Sequence, residues 1–181
     1  LINGDIDIAV HSLKDVPTKL PEGVIQAAVL KRGNYNDVLI LKKDENFFEN
    51  EIATIATGSL RRKAQWLHRY PKHDIIGLRG NVNTRLQKLK DSPWDGAIFA
   101  LAGLSRIKLL PNKDRHIKLD WMVPAPAQGA IMIAALKKNN NAVDACKELN
   151  DEETAVCVAI EREFLRVLEG GCTAPIGALA T

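Results

Sequence analysis

Between residues 52 and 109 the chain alternates short apolar runs with helical patterns, three times over. Residues 52–57 read as a strand and 59–69 as a helix, in which Leu60, Ala64 and Leu67 recur at i, i+4 and i+7. The unit repeats as strand 74–78 with helix 82–90, and again as strand 96–100 (G-A-I-F-A) with helix 102–109. Pro71 and the pair Ser92 and Pro93 punctuate the units. Strands joined through helices lie parallel, so this block is expected to be an α/β domain on a mostly parallel sheet. The carboxyl ends of its strands then share one edge, where open α/β sheets bind ligands.

That edge carries the charge. Residues 57–90 hold nine lysines and arginines against one acid, Asp74, while the whole chain carries only +3. Ser59 is placed to cap the first helix, which puts Arg61 and Arg62 in its first turn. Asn81 is placed to cap the second, flanked by Arg79 and Arg85. Cations at a helix N-terminus oppose the macrodipole, by about 0.3–1 kcal/mol each. A bound anion would resolve both conflicts, meeting free N–H groups and guanidinium forks together. The competing reading is a solvated basic face.

Composition narrows the class. Hydrophobic content of 46% and charged content of 26% suit a globular chain. No apolar run nears the roughly 20 residues of a membrane span, and no signal peptide is recognisable, so a cytoplasmic location is expected. Cys146, Cys157 and Cys172 form no close pair, which argues against a zinc site or a disulfide framework. Cys146 and Cys157 lie in helical patterns and read as structural. The chain opens at Leu1, inside a strand-and-turn pattern, and reads as a fragment of a longer protein.

The flanks suggest a second domain. Residues 6–10, 24–30, 37–41 and 131–136 read as strands, and 43–51 as part of a charged loop or short helix. After the first strand, H-S-L-K-D-V-P-T (11–18) turns at Pro17. Asp15, beside Lys14 and His11, is either a site residue or half of a surface ion pair. Breaker-rich crossings near 31–36 and 124–129 bracket the βαβ block; ligands in such two-domain folds lie between lobes. Residues 111–123 read as an irregular connection, 141–149 as a short helix, and 151–168 as a long helix opened by Asn150. Gly170 and Gly171 stop it and leave Cys172 on an exposed loop.

Six motifs in order carry a family likeness: H-S-L-K-D-V-P-T, G-S-L-R-R-K-A-Q, L-R-G-N-V-N-T-R-L, D-G-A-I-F-A-L-A-G-L-S-R-I, P-A-P-A-Q-G-A and L-E-G-G-C-T-A-P-I-G. Together they closely resemble porphobilinogen deaminase, the hydroxymethylbilane synthase family of tetrapyrrole (haem) biosynthesis. The resemblance implies an α/β fold of two periplasmic-binding-protein-like lobes and the start of a small α+β third domain. It divides the chain into a partial first domain (1–31), a complete second (36–123), a return to the first (130–148) and the opening of the third (150–181).

It also implies a transferase that deaminates four porphobilinogen units and joins them head to tail. Such enzymes carry a dipyrromethane cofactor on a loop cysteine, here Cys172. Asp15 matches the catalytic aspartate. Ser12, Lys14, Thr57, Ser59, Arg61, Arg62, Arg79 and Gly80 match cofactor-binding positions; Arg85, Arg106 and Gln128 match substrate-binding ones. The implied partner is porphobilinogen, with no nucleic acid, membrane or metal, and a monomer when full length; the fragment alone is expected to be inactive. The alternatives are a non-catalytic two-lobed anion-binding module, and a nucleic-acid binder using Trp66 and Tyr70 among the basic residues.

Overall fold

The computed structural model describes residues 1–42, 52–168 and 174–181. The charged segment 43–51 and residues 169–173, Cys172 among them, lie outside them. Two compact units result: Leu1–Tyr35 with Pro124–Thr181, and Asn36–Val123.

The second unit is a five-stranded sheet. Its strands are β3 (Asp37–Leu41), β4 (Thr54–Ala56), β5 (Asp74–Ile76), β6 (Gly96–Ala100) and β7 (His116–Leu119), in the order β5-β4-β6-β3-β7. Parallel pairing is confined to β5–β4 and β4–β6. β3 runs antiparallel to both neighbours, because the chain enters on it from the other unit rather than through a crossover helix. β7 lies inside the stretch expected to be irregular.

Helices α1 (Leu60–Arg69), α2 (Val82–Asp91) and α3 (Leu101–Arg106) follow β4, β5 and β6. β3 explains its own unbroken apolar run, since both faces are covered. Val38 and Ile40 pack with Leu78, Leu89, Phe99 and Leu104, whereas Leu39 and Leu41 pack with Ile55, Trp66, Leu119 and Met122. Each such leucine stabilises the fold by about 1.5–3 kcal/mol relative to exposure. Ser59 and Asn81 cap α1 and α2 as expected, accepting from the backbone N–H groups of Arg62 and Thr84. α3 ends at Arg106, three residues early.

The first unit has an antiparallel sheet, with β8 (Ile131–Leu136) between β1 (Ile8–Ser12) and β2 (Val24–Val29). α4 (Asn140–Lys147) sets Cys146 against Ala28 and Ile133. α5 (Glu152–Val167) buries Val158 among Leu13, Val29 and Met132, so this part of the expected third domain packs on the unit's own core. Its cap is Asp151, not Asn150. The Asn150 side chain instead accepts from Val29 N–H at 2.9 Å. The two breaker-rich crossings meet here. Gly33 N–H donates to Gly129 O at 3.1 Å. Gly129 has φ +88°, and a Cβ there would lie 2.7 Å from Gly33 O, so only glycine fits. Among the described residues no helix is long and apolar enough to cross a membrane.

Candidate functional site

In the second unit the basic residues gather as the alternation predicts. β4 and β5 are parallel, so α1 and the β5–α2 turn begin at the same sheet edge. Thr57 N–H donates to Ile76 O at 2.9 Å, which ties the two starts together. Thr57 is buried, and its hydroxyl accepts from Ser59 N–H at 3.2 Å.

Arg61 and Arg62 are not solvated. Both are about 95% buried, and both reach Asp37, which is wholly buried. Arg61 Nη2 donates to Asp37 Oδ2 at 2.7 Å; Arg62 donates to Oδ1 through Nε at 3.0 Å and Nη2 at 2.7 Å. Backbone oxygens take more: Val123 O accepts from Arg61 Nη1 at 2.6 Å and Ile98 O from Arg62 Nη1 at 3.0 Å. Asp37 therefore answers the charge conflict at the α1 start, where a bound anion was expected to be the whole answer. It answers only half, since two cations share one carboxylate at the positive end of a helix. Burial holds the Arg61 guanidinium below its ordinary pKa; Asp37 opposes that shift and Arg62 adds to it.

Arg79 is exposed on the β5–α2 turn, and its carbonyl accepts from Lys88 Nζ at 3.1 Å. Gly80 takes φ +119°, a left-handed conformation that favours glycine. Its carbonyl accepts from Arg85 Nε at 2.7 Å, which folds the half-buried Arg85 back over the cap of its own helix. Arg106 is exposed in the last turn of α3, about 9 Å along from the sheet edge where that helix starts. The second unit thus brings Thr57, Ser59, Arg61, Arg62, Arg79, Gly80 and Arg85 to one edge, and Arg106 stands away from it.

In the first unit the turn after β1 is built to hold a shape. Leu13–Asp15 forms one 3₁₀ turn with Leu13 fully buried. The Arg162 guanidinium, on α5, donates to the carbonyls of Leu13, Val16 and Pro17 at 3.2, 3.0 and 2.7 Å. Ser12 and Lys14 are half-buried, and Asp15 is exposed at the rim of a cavity of about 470 Å³ that His11 also lines. Lys14 Nζ makes a long contact of 3.5 Å with Gln128 Oε1. Gln128 is wholly buried and donates from Nε2 to Tyr35 O at 2.8 Å. Ser12, Lys14, Asp15 and Gln128 therefore belong to one unit. Cys172 lies outside the described residues.

Residues 1–144 match the family model described as porphobilinogen deaminase, dipyromethane cofactor binding domain, and residues 155–181 match the C-terminal domain of the same family. The chain belongs to the porphobilinogen deaminase family. It is 42% identical over its full length to the porphobilinogen deaminase of Syntrophotalea carbinolica, covering 58% of that protein. It is 43% identical, again over its full length, to the chloroplastic enzyme of Oryza sativa subsp. japonica, covering 51%. The chain thus spans about half the length of these relatives. A methionine binding protein of solved structure shares the fold at TM-score 0.51 and 16% identity, over 99% of this chain and 80% of that one.

The donor set at the α1 start fits a dipyrromethane. Such a group is a polycarboxylate, and the α1 start offers buried guanidinium groups in excess over their own carboxylate. Among the described residues no three His, Cys, Asp or Glu side chains gather for a metal ion. Trp66 is wholly buried and packs with Tyr70, His73 and Trp121 rather than presenting a face to bases. The sequence reading missed Asp37 and Arg162. The available signal for Asp37 was an acid opening the fully apolar run V-L-I-L; Arg162 gave none, being one of several charged residues on a helix face.

Proposed function

We propose that this chain forms the cofactor-binding part of a transferase that deaminates porphobilinogen and joins four units into hydroxymethylbilane. The observation that carries this reading is the pair of buried arginines with a single carboxylate between them, in a chain of this family. In this account Arg61, Arg62 and Arg79 hold acetate and propionate groups of cofactor and substrate. Ser59 and Gly80 present the first-turn N–H groups between them, and Thr57 fixes the α1 start. Arg85 and Gln128 attend the substrate, and Arg106 meets it away from the α1 and α2 starts. A dipyrromethane held by Cys172 would supply the pyrrole carbon to which the first unit is joined.

Asp15 is the catalytic group. Loss of ammonia makes the incoming pyrrole electron-poor, and carbon–carbon bond formation then places positive charge on pyrrole nitrogen. A carboxylate against that N–H stabilises the charge where it develops. It also takes the proton released at the pyrrole carbon and gives one to the departing amine. Lys14 and Ser12 bind beside it. The Arg162 clamp keeps the turn in one conformation, so Asp15 needs little reorganisation during the reaction.

Asp15→Asn tests the assignment in the whole protein. The variant is expected to keep the cofactor and to lose about 10³-fold or more in turnover, the scale of removing one charge-stabilising group together with its proton transfer. Turnover near that of the parent would contradict it.

A further inference from the structure

We propose that Asp37 is the positioning residue for carboxylate capture: it holds Arg61 and Arg62 as one pre-set pair of forks and leaves them a net charge of +1. The inference rests on the proposed function above and deepens it. Asp37 begins the one strand of its sheet that is paired to β6 on one side and β7 on the other, opposite Ala100 and Leu119. Its backbone is therefore among the least movable in the unit. Its carboxylate uses both oxygens, one for each arginine, at 2.7 Å. Each guanidinium is fixed a second time by a carbonyl, from Val123 or Ile98. Two long side chains, normally rich in rotamers, are thus held in place before any ligand arrives.

A purely structural ion pair would be neutral. Two buried cations on one buried anion are not, and an uncompensated buried charge is unfavourable. Among the described residues Arg61 commits two of its five N–H groups, to Asp37 and Val123. The arrangement has both the charge and the donors for one further carboxylate. Without Asp37 the two buried guanidinium groups would repel each other and turn apart.

The test compares Asp37→Asn, Asp37→Glu and Leu89→Ala in the whole protein. Leu89 lies in the second unit's core and serves as a destabilised control. Intact mass of the folded, monodisperse fraction reports cofactor occupancy, and steady-state kinetics with porphobilinogen separate KM from kcat. Asp37→Asn is expected to lower occupancy by about tenfold or more, while Leu89→Ala keeps parental occupancy. Asp37→Glu retains the charge but shifts the forks; it is expected to keep the cofactor and raise KM by about tenfold with kcat little changed.

Parental occupancy in Asp37→Asn overturns the proposal. Should that variant fail to fold, an unchanged KM in Asp37→Glu overturns it instead. A parent protein without any pyrrole mass overturns the proposed function, and this inference with it. A loaded parent with a loaded Asp37→Asn removes only the role of Asp37.

Discussion

His73 shows how one buried side chain couples the fold of the second unit to pH. Its Nδ1 accepts from the Trp66 indole N–H at 3.3 Å, so the ring carries its proton on Nε2 and is neutral. Burial lowers its pKa from the ordinary value near 6.5, and Asp95 offsets part of that shift. Below about pH 6.5 the unfolded chain binds a proton that the folded chain refuses, so stability falls as pH drops through that value. Above it the folded and unfolded rings are both neutral and the contribution is flat. The urea midpoint is therefore expected to fall between pH 7.5 and 5.5, and to fall less in His73→Gln. An equal fall in both proteins would assign the loss to other groups. Asp37 acts at the same scale by different means, since its two oxygens each hold one arginine at 2.7 Å.

Helix starts are the elements on which this chain depends. A cap is a local bond, made by a side chain to an N–H three residues on, so Ser59 and Asn81 were legible from sequence. Asn81→Ala removes acceptance from the Thr84 N–H at 2.9 Å and is expected to cost about 1 kcal/mol, measured as a shift in urea midpoint at constant slope. No shift would mean that the turn at Gly80, not the cap, sets where α2 begins. The strand–helix alternation was legible for the same reason, since its period lies within each element. What escaped the sequence was non-local. β7 is four residues long and becomes a strand only because β3 offers an edge some eighty residues earlier. Asp37 meets arginines 24 and 25 residues away, and Arg162 caps a turn that lies near the other end of the chain. Local pattern could say that Arg61 and Arg62 need an anion; it could not say that the fold supplies half of one.

Across the whole molecule, the motifs fall into two units with different tasks. One carries a pinned turn with Asp15, and the other a sheet edge where paired arginines outnumber their counter-ion. A module that only bound anions would need the second feature and not the first, nor a thiol at Cys172. The measurement that separates the two is the intact mass of the whole protein beside its Cys172→Ser variant. The account predicts a surplus equal to two linked pyrrole units, present in the parent and lost in the variant. A parent of bare polypeptide mass, or a surplus that survives in Cys172→Ser, would contradict it.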